Sequence, residues 1–278
     1  MGFDDLTTPA GRRREVAGGS ALYFSLAAHR LCEVRVVAAI GTDGRSLLDI
    51  LDAANIDRSG VAQLPGLTYR WRAEHHPTDA VPVTEEQQLG VYLDWRPDLP
   101  LPARESEILF LGSMHPSRQL EVLAQCPGAQ LVALDTMRDF ITSDRGELEQ
   151  ILHRVDMLFA NETELRALLP SPPVEVVELA AQALSRWSLR SVILKLGPAG
   201  VVAVSRRGTA RTFAAAPGPP VVDPTGAGDA LAGGLLGRLA QLRRGDDDAI
   251  DLAMVDGAGA ARAAIAAFGV PGLLAPET

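Results

Sequence analysis

Short apolar runs recur along the chain, separated by polar stretches with helical spacing. VRVVAAI (34–40), ILFL (108–111), LVAL (131–134), MLFA (157–160), VILKL (192–196) and VVAV (201–204) are too short for helices and rich in β-branched residues, so they predict buried strands. Between them, SRQLEVLAQC (117–126), ETELRALL (162–169) and VEVVELAAQALSRW (174–187) predict helices, with Pro172 and Pro173 stopping one and preceding the next. This alternation predicts an α/β fold: a doubly wound, mostly parallel sheet flanked by helices. Several runs end on small or polar residues, namely Gly41-Thr42-Asp43, Gly112-Ser113, Asp135-Thr136, Asn161, and Lys195 with Gly197. In an open parallel sheet the ligand crevice lies beyond the carboxyl ends of the strands, so these endings predict one rim of candidate site residues.

Residues 61–96 break that rhythm. Tyr69–Ala73 and Leu89–Trp95 alternate large apolar with polar side chains, the period of half-exposed strands, and the segment holds two of the three tryptophans and two of the three tyrosines. It reads either as a small β lid that covers the crevice or pairs with a second subunit, or as an edge hairpin packed on its own domain. Further on, the Ala/Gly-rich stretch from Asp256 to Phe268 predicts a tightly packed helix. The whole chain, 1–278, reads as a single domain.

Composition narrows the partners. With 47% hydrophobic residues in 278, the chain buries a substantial core. A net charge of −9 without a dense Lys/Arg patch leaves no electrostatic footprint for nucleic acid or an anionic membrane, and Arg12, Arg13 and Arg14 read as a solvated loop. No apolar stretch approaches the roughly 18 residues that span a bilayer, and no secretory segment opens the chain, so the cytoplasm is the expected compartment. Cys32 and Cys126 stand far apart without metal-ligand spacing, which predicts neither a disulfide framework nor a zinc site.

The densest chemistry lies in VVDPTGAGDALAGGLLGRLA (221–240). Gly226-Ala227-Gly228 lets the backbone turn with its N–H groups converging, and a helix beginning near Asp229 adds its positive end, so the segment is built to hold an anion such as a phosphate. No G-K-[ST] follows, which excludes a Walker A loop, and no chain-initial G-x-G-x-x-G marks a dinucleotide fold. Asp229 would repel the phosphate that the glycines attract unless it faced a different group. A substrate hydroxyl is such a group, and a carboxylate there accepts the proton of the attacking oxygen; the bland reading is a helix cap.

Further stretches fall in a recognisable order. Asp223-Pro224-Thr225-Gly226-Ala227-Gly228-Asp229 resembles the C-terminal signature of the ribokinase-like (phosphofructokinase-B type) carbohydrate kinases. Gly18-Gly19 followed by SALYFSLAAHR, Asn161-Glu162-Thr163-Glu164 with its N-x-x-E pattern, and Lys195-Leu196-Gly197-Pro198-Ala199-Gly200 resemble other signatures of that family, across nearly the whole chain. The resemblance implies a central sheet with a β lid, ATP and Mg2+ as cofactors, and phosphoryl transfer to a hydroxyl of a sugar or sugar derivative. Asp229 resembles the catalytic base, with Gly226, Ala227 and Gly228 as the anion hole. Asn161 and Glu164 resemble the pair that organises magnesium through water, against the simpler role of Glu164 as an acid at a helix N-terminus. Lys195, Gly197, Gly200 and Thr225 resemble residues near the nucleotide, although Lys195 also reads as a strand-end residue with its head in solvent. Asp223 with Thr225 resembles a segment that binds a monovalent cation in some members. On the acceptor side, Asp4 resembles the family's early aspartate that grips sugar hydroxyls, with Gly18 and Gly19 admitting the sugar to the backbone. Asp43 has a substrate or structural role, His115 reads as a neutral structural histidine, and His75 and His76 read as solvated.

Two departures qualify the resemblance. Only three residues precede Asp4 where family members carry a hydrophobic strand, so the first strand reads as missing or nearly so. Tyr23 stands where many sugar kinases place an asparagine, which leaves room for a stacked nucleoside. The alternatives are therefore a nucleoside kinase and a catalytically weak sugar- or nucleotide-binding regulator; a homodimer through the β lid fits either.

Overall fold

The computed structural model describes residues 1–76, 82–169, 174–218 and 220–275, so Pro172 and Pro173 lie outside the described residues. The chain divides into two compact units, Met1–Ala103 with Ala216–Thr278, and Arg104–Ala215.

The first unit begins with strands β1 (Gly2–Thr8) and β2 (Gly11–Gly18), followed by α1 (Ser20–Ala28), β3 (Arg35–Ile40), α2 (Arg45–Ala53), β4 (Asp57–Gln63), β5 (Arg70–Glu74) and β6 (Val83–Gln88). Among the described residues, β2-β1-β5-β6 make a four-stranded sheet and β3-β4 a parallel pair. In the sheet, β1 runs antiparallel to β2 and parallel to β5, and β5 runs antiparallel to β6. The sheet therefore draws half its strands from residues 2–18, where the sequence predicts none, and β4 belongs elsewhere. Gly2, Asp4, Leu6 and Thr8 are buried while Phe3, Asp5 and Thr7 are half-buried, the alternation of a strand with one face packed. Arg12–Arg14 lie in β2, exposed as expected, though in a strand rather than a loop. Leu89–Trp95 is not a strand: Gly90–Tyr92 forms a 3-10 turn, and Val91 and Trp95, four apart, are the buried pair.

A short helix, α3 (Leu101–Arg104), leads to the second unit, which contains β7 (Ile108–Leu111), α4 (Pro116–Gln125), β8 (Leu131–Asp135), α5 (Arg138–Ser143), α6 (Arg145–Leu152), β9 (Met157–Asn161), α7 (Glu162–Leu168), α8 (Val176–Trp187), β10 (Ser191–Lys195), β11 (Val201–Ser205) and β12 (Ala210–Phe213). Its six strands lie in the order β12-β11-β10-β9-β8-β7 among the described residues. β7 to β10 are parallel, and β11 and β12 close the edge in antiparallel fashion. Every residue of β8 and β11 is buried, as expected of strands covered on both faces. The predicted strands and helices of this unit agree with the observed ones to within about two residues.

The chain returns to the first unit with α9 (Ala227–Leu242), α10 (Asp247–Ala264) and α11 (Pro271–Leu274). α10 starts well before the predicted Asp256 and stops before Phe268; Asp246 caps it, its side chain accepting from the Ala249 N–H at 3.0 Å. The core of the unit joins Leu22, Leu26, Ile40, Leu47 and Leu51 to Ala230 and Val270, and each fully buried Leu or Ile contributes roughly 1.5–3 kcal/mol.

Candidate active site

In the first unit, Gly226 is the residue before α9 and adopts a left-handed conformation, φ 75°. A Cβ at this position would collide with Cγ, Cδ1 and Cδ2 of the Tyr23 ring, so only glycine lets the turn rest there. Among the described residues the Gly226 and Gly228 N–H groups donate to no carbonyl, as expected at a helix start. The Ala227 N–H instead reaches the Pro224 carbonyl at 3.3 Å, a long bond that takes one of the three expected donors into the turn. Asp229, half-buried in the first turn of α9, accepts a hydrogen bond from the Ser20 hydroxyl at the start of α1. Sequence reasoning missed Ser20; its signal is its place directly after Gly18-Gly19.

Asp4 is 3% exposed, pointing inward from β1. Burial, with the nearby Asp223 and Asp229 carboxylates adding to it, raises its carboxyl from 3.8 to about 7. A Cβ on Gly18 would collide with Asp4 Oδ2, so that glycine makes room for the carboxylate itself. Gly19 turns the chain into α1 with φ 89°. Asp223 is fully buried: its Oδ1 accepts the Thr225 N–H at 2.9 Å and its Oδ2 the Gly269 N–H at 3.4 Å, the first an Asx turn that shapes the approach to Gly226.

Tyr23 is 1% exposed, and among the described residues its hydroxyl has no hydrogen-bond partner. Burial pushes the phenol up, helped by Asp4, Asp223 and Asp229. The ring lies under the glycine turn, so it is not the open face for a stacked nucleoside that the sequence allowed. His75, expected to be solvated, is instead tied in: its Nε2 is 2.9 Å from Thr225 Oγ1 and 3.9 Å from Asp223 Oδ1, and burial lowers its pKa. Asp43 has a structural role, its Oδ1 accepting from Thr68 N–H at 2.8 Å and Thr68 Oγ1 at 2.6 Å. Trp71 is a second residue that sequence reasoning did not place in the site. It pairs in register with Asp4, placing both on one face of the sheet, and its indole N–H donates to Thr84 Oγ1 at 3.1 Å.

The second unit carries a separate polar cluster at strand ends. Asn161 ends β9 and caps α7: its Oδ1 accepts the Glu164 N–H at 2.8 Å while Glu164 Oε2 accepts the Asn161 N–H at 2.8 Å, a reciprocal capping box. Burial raises the Glu164 carboxyl, Lys195 opposes that rise and Asp135 adds to it. Lys195 ends β10, and its Nζ reaches Asp135 Oδ1 at 2.7 Å and Oδ2 at 2.8 Å. It is therefore paired rather than solvated, with a side chain 19% exposed. Gly197 starts a 3-10 turn with φ 55°. Gly200 is pressed against the Phe213 carbonyl, where a Cβ would collide, so it serves the β11–β12 junction. His115 caps α4, its Nδ1 accepting the Ser117 N–H at 3.2 Å, and its Nε2 lies 3.3 Å from Asp144 Oδ1; the structural reading agrees with this geometry. Among the described residues no helix is long and apolar enough to cross a membrane.

The chain is similar to known kinases throughout. A cytidine kinase of Thermococcus kodakarensis is 31% identical over 245 residues, covering 85% of this chain and 84% of its own. A Burkholderia thailandensis nucleoside kinase solved in complex with inosine superposes with a TM-score of 0.74 at 23% identity, over 96% of this chain and 89% of its own. An Escherichia coli protein described as a ribokinase II, in complex with ATP and Mg2+, gives 0.76 at 18% identity, over 96% and 91%. These likenesses identify the ribokinase-like fold, and ATP-dependent phosphorylation of a sugar or nucleoside hydroxyl follows from the family and its 31% relative. The pfkB family carbohydrate kinase model matches residues 3–270, and the chain belongs to that family.

Proposed function

We propose that the acceptor is a nucleoside, phosphorylated on a ribose hydroxyl at the expense of ATP. The observation that carries this reading is Trp71, a half-buried indole locked by Thr84 and placed beside Asp4 on one face of the sheet. A carboxyl that grips ribose hydroxyls, with an aromatic plane about one strand spacing away, suits a sugar that carries a flat base. The cytidine and nucleoside kinases among the similar proteins support the same class.

In this reading the acceptor oxygen attacks the γ-phosphorus, Asp229 takes its proton, and the bond to the ADP oxygen breaks. Ser20 and the start of α9 hold the Asp229 carboxylate. The Gly226 and Gly228 amides, with Ala227 between them, stabilise charge on the transferring group, while Asp4, Gly18 and Gly19 hold the sugar. Lys195, Gly197, Gly200, Thr225 and Asn161 are assigned to the nucleotide. The carboxylates of Glu164 and Asp135 would hold Mg2+ through water rather than directly, since the capping box takes Asn161 Oδ1 and Glu164 Oε2 and Lys195 takes both oxygens of Asp135. When bound, the metal neutralises phosphate charge. Asp223 accepts a backbone N–H on each oxygen and is assigned first to shaping the turn, a monovalent cation being able to take only the lone pairs that remain.

Other assignments complete the picture. A hollow of about 340 Å³ on the sheet sets Arg14, Arg70 and Arg72 among Asp5, Glu15 and Glu86, and Arg70 and Arg72 pair with these acids within the sheet; a homodimer through the sheet would meet at this face. Both cysteines are free thiols, in keeping with the cytoplasm.

The test is a panel of cytidine, uridine, adenosine, inosine, ribose and fructose with Mg2+-ATP, read by chromatography of phosphorylated product. Higher kcat/KM for a nucleoside than for either free sugar is expected, and loss of that preference in Trp71→Ala. A free sugar preferred over every nucleoside overturns the reading.

A further inference from the structure

α1 reaches the start of α9 twice. Ser20 and Tyr23, three residues apart and so on one face of the helix, each meet a different part of the turn: Ser20 donates to the Asp229 carboxylate, and the Tyr23 ring lies against Gly226. The contact with Gly226 involves Cγ, Cδ1 and Cδ2 together, so the backbone rests on the flat of the ring. This side chain is fully buried and, among the described residues, its hydroxyl has no partner. The hydroxyl therefore contributes no bond to the turn, and the contact with Gly226 belongs to the ring.

We propose that Tyr23 is a positioning residue for phosphoryl transfer: its ring is the floor that holds the left-handed Gly226 turn, and with it the N–H groups entering α9, at the height the transferring phosphoryl group requires. The inference rests on the assignment of residues 226–229 as anion hole and base. The three atoms nearest to where a Gly226 Cβ would stand all belong to the Tyr23 ring, which is therefore what supports the turn from beneath. A smaller side chain at 23 lets the turn sink, which displaces the donors from the migrating charge while leaving Asp4, Gly18 and the nucleotide residues untouched. Since a misplacement of about 1 Å costs on the order of 100-fold in rate, the loss falls on kcat.

The experiment compares Tyr23→Phe, Tyr23→Leu and Tyr23→Asn for kcat, for KM of both substrates and for thermal midpoint. Tyr23→Phe keeps the floor, so it retains most of the turnover while its midpoint rises as the unpaired hydroxyl disappears. Tyr23→Leu and Tyr23→Asn lose roughly 10- to 100-fold in kcat, with each KM within about threefold of the parent. A loss of kcat in Tyr23→Leu and Tyr23→Asn with both KM values kept, assayed well below the midpoint of each variant where all of the protein is folded, is something a merely structural residue does not produce. Should Tyr23→Leu fail to fold, Gly226→Ala tests the contact from the other side: it collides with the ring and lowers kcat with each KM kept, and combined with Tyr23→Asn, which is smaller than the parent ring, the two losses do not multiply. Unchanged kcat in Tyr23→Leu, a loss confined to KM, or Tyr23→Phe as damaged as Tyr23→Leu each overturns the proposal. Asp229→Asn separates the two readings: if it turns over normally, the anion-hole assignment itself fails, whereas an inactive Asp229→Asn beside a normal Tyr23→Leu sinks only the floor.

Discussion

Replacing Asp4 by Asn removes a carboxyl that the fold keeps out of water. The folded protein holds the Asp4 proton up to a pH of about 7, while the unfolded chain releases it near 3.8. Between those values the folded state binds more protons, so stability falls as pH rises across the window and levels off above it. A tenfold change in proton affinity is worth about 1.4 kcal/mol, and folding raises the affinity of this carboxyl roughly a thousandfold. The upper limit is therefore about 4 kcal/mol, with roughly 3 kcal/mol of it falling between pH ~5 and ~8. Asn has the same shape and no charge to desolvate. Urea unfolding of the parent and Asp4→Asn across that pH range should give curves close together at the acid end, with the variant ahead by up to about 3 kcal/mol more at the alkaline end. Acceptor KM should rise in the same variant if Asp4 grips the sugar. A stability difference that does not change with pH refutes the charge argument, whatever happens to activity.

Asp229→Asn should lower kcat by roughly 10²- to 10⁴-fold with little change in either KM, in steady-state assays, because a positioned base acts only on the chemical step. Lys195→Met leaves Asp135 without its cation and should destabilise the protein by about 3 kcal/mol in chemical unfolding, a loss that Asp135→Asn in the same chain partly reverses. Asn161→Ala removes the side-chain arm of the capping box and leaves the backbone N–H of residue 161 on Glu164, costing about 1 kcal/mol, and should raise the Mg2+ concentration needed for half-maximal rate. His75→Ala removes the bond to Thr225 and should cost about 1 kcal/mol in thermal unfolding, without changing which acceptor is preferred.

What the sequence revealed and what it hid follow a physical line. The glycine turn and the N-x-x-E cap are local: a left-handed Gly226, unpaired N–H groups and a reciprocal Asn161–Glu164 cap need only neighbouring residues, so their chemistry is legible in seven letters or four. The strands of the second unit are equally legible because burial on both faces demands unbroken apolar runs. β1 was invisible because its inward position 4 is an aspartate, which inverts the polar pattern that a half-buried strand normally shows. Leu89–Trp95 misled for the opposite reason. Apolar residues at 89, 91, 93 and 95 satisfy a period of two, yet Leu89 and Leu93 are exposed and only the pair four apart is buried. His75 gave no signal because its partner, Thr225, lies 150 residues away.

Asp4, Asp223 and Asp229 stand close enough to influence one another, and the fold manages each negative group differently. Asp223 is surrounded by donors, the Thr225 and Gly269 N–H groups with His75 nearby, and is thereby committed to shaping the turn. Asp229 sits in the first turn of a helix with Ser20 donating to it, which holds the carboxyl group in place at the helix start. At Asp4 burial outweighs the pull of the nearby chain-terminal amine, and so this carboxyl holds its own proton instead. The two hydroxyls of a ribose diol can both donate to a carboxylate, and binding a diol restores part of the solvation that folding removed. Acceptor binding should therefore make Asp4 a stronger acid, and titration calorimetry near neutral pH in buffers of different ionisation enthalpy should detect protons released with the nucleoside. No release, or the same release from Asp4→Asn, would place the acceptor away from β1.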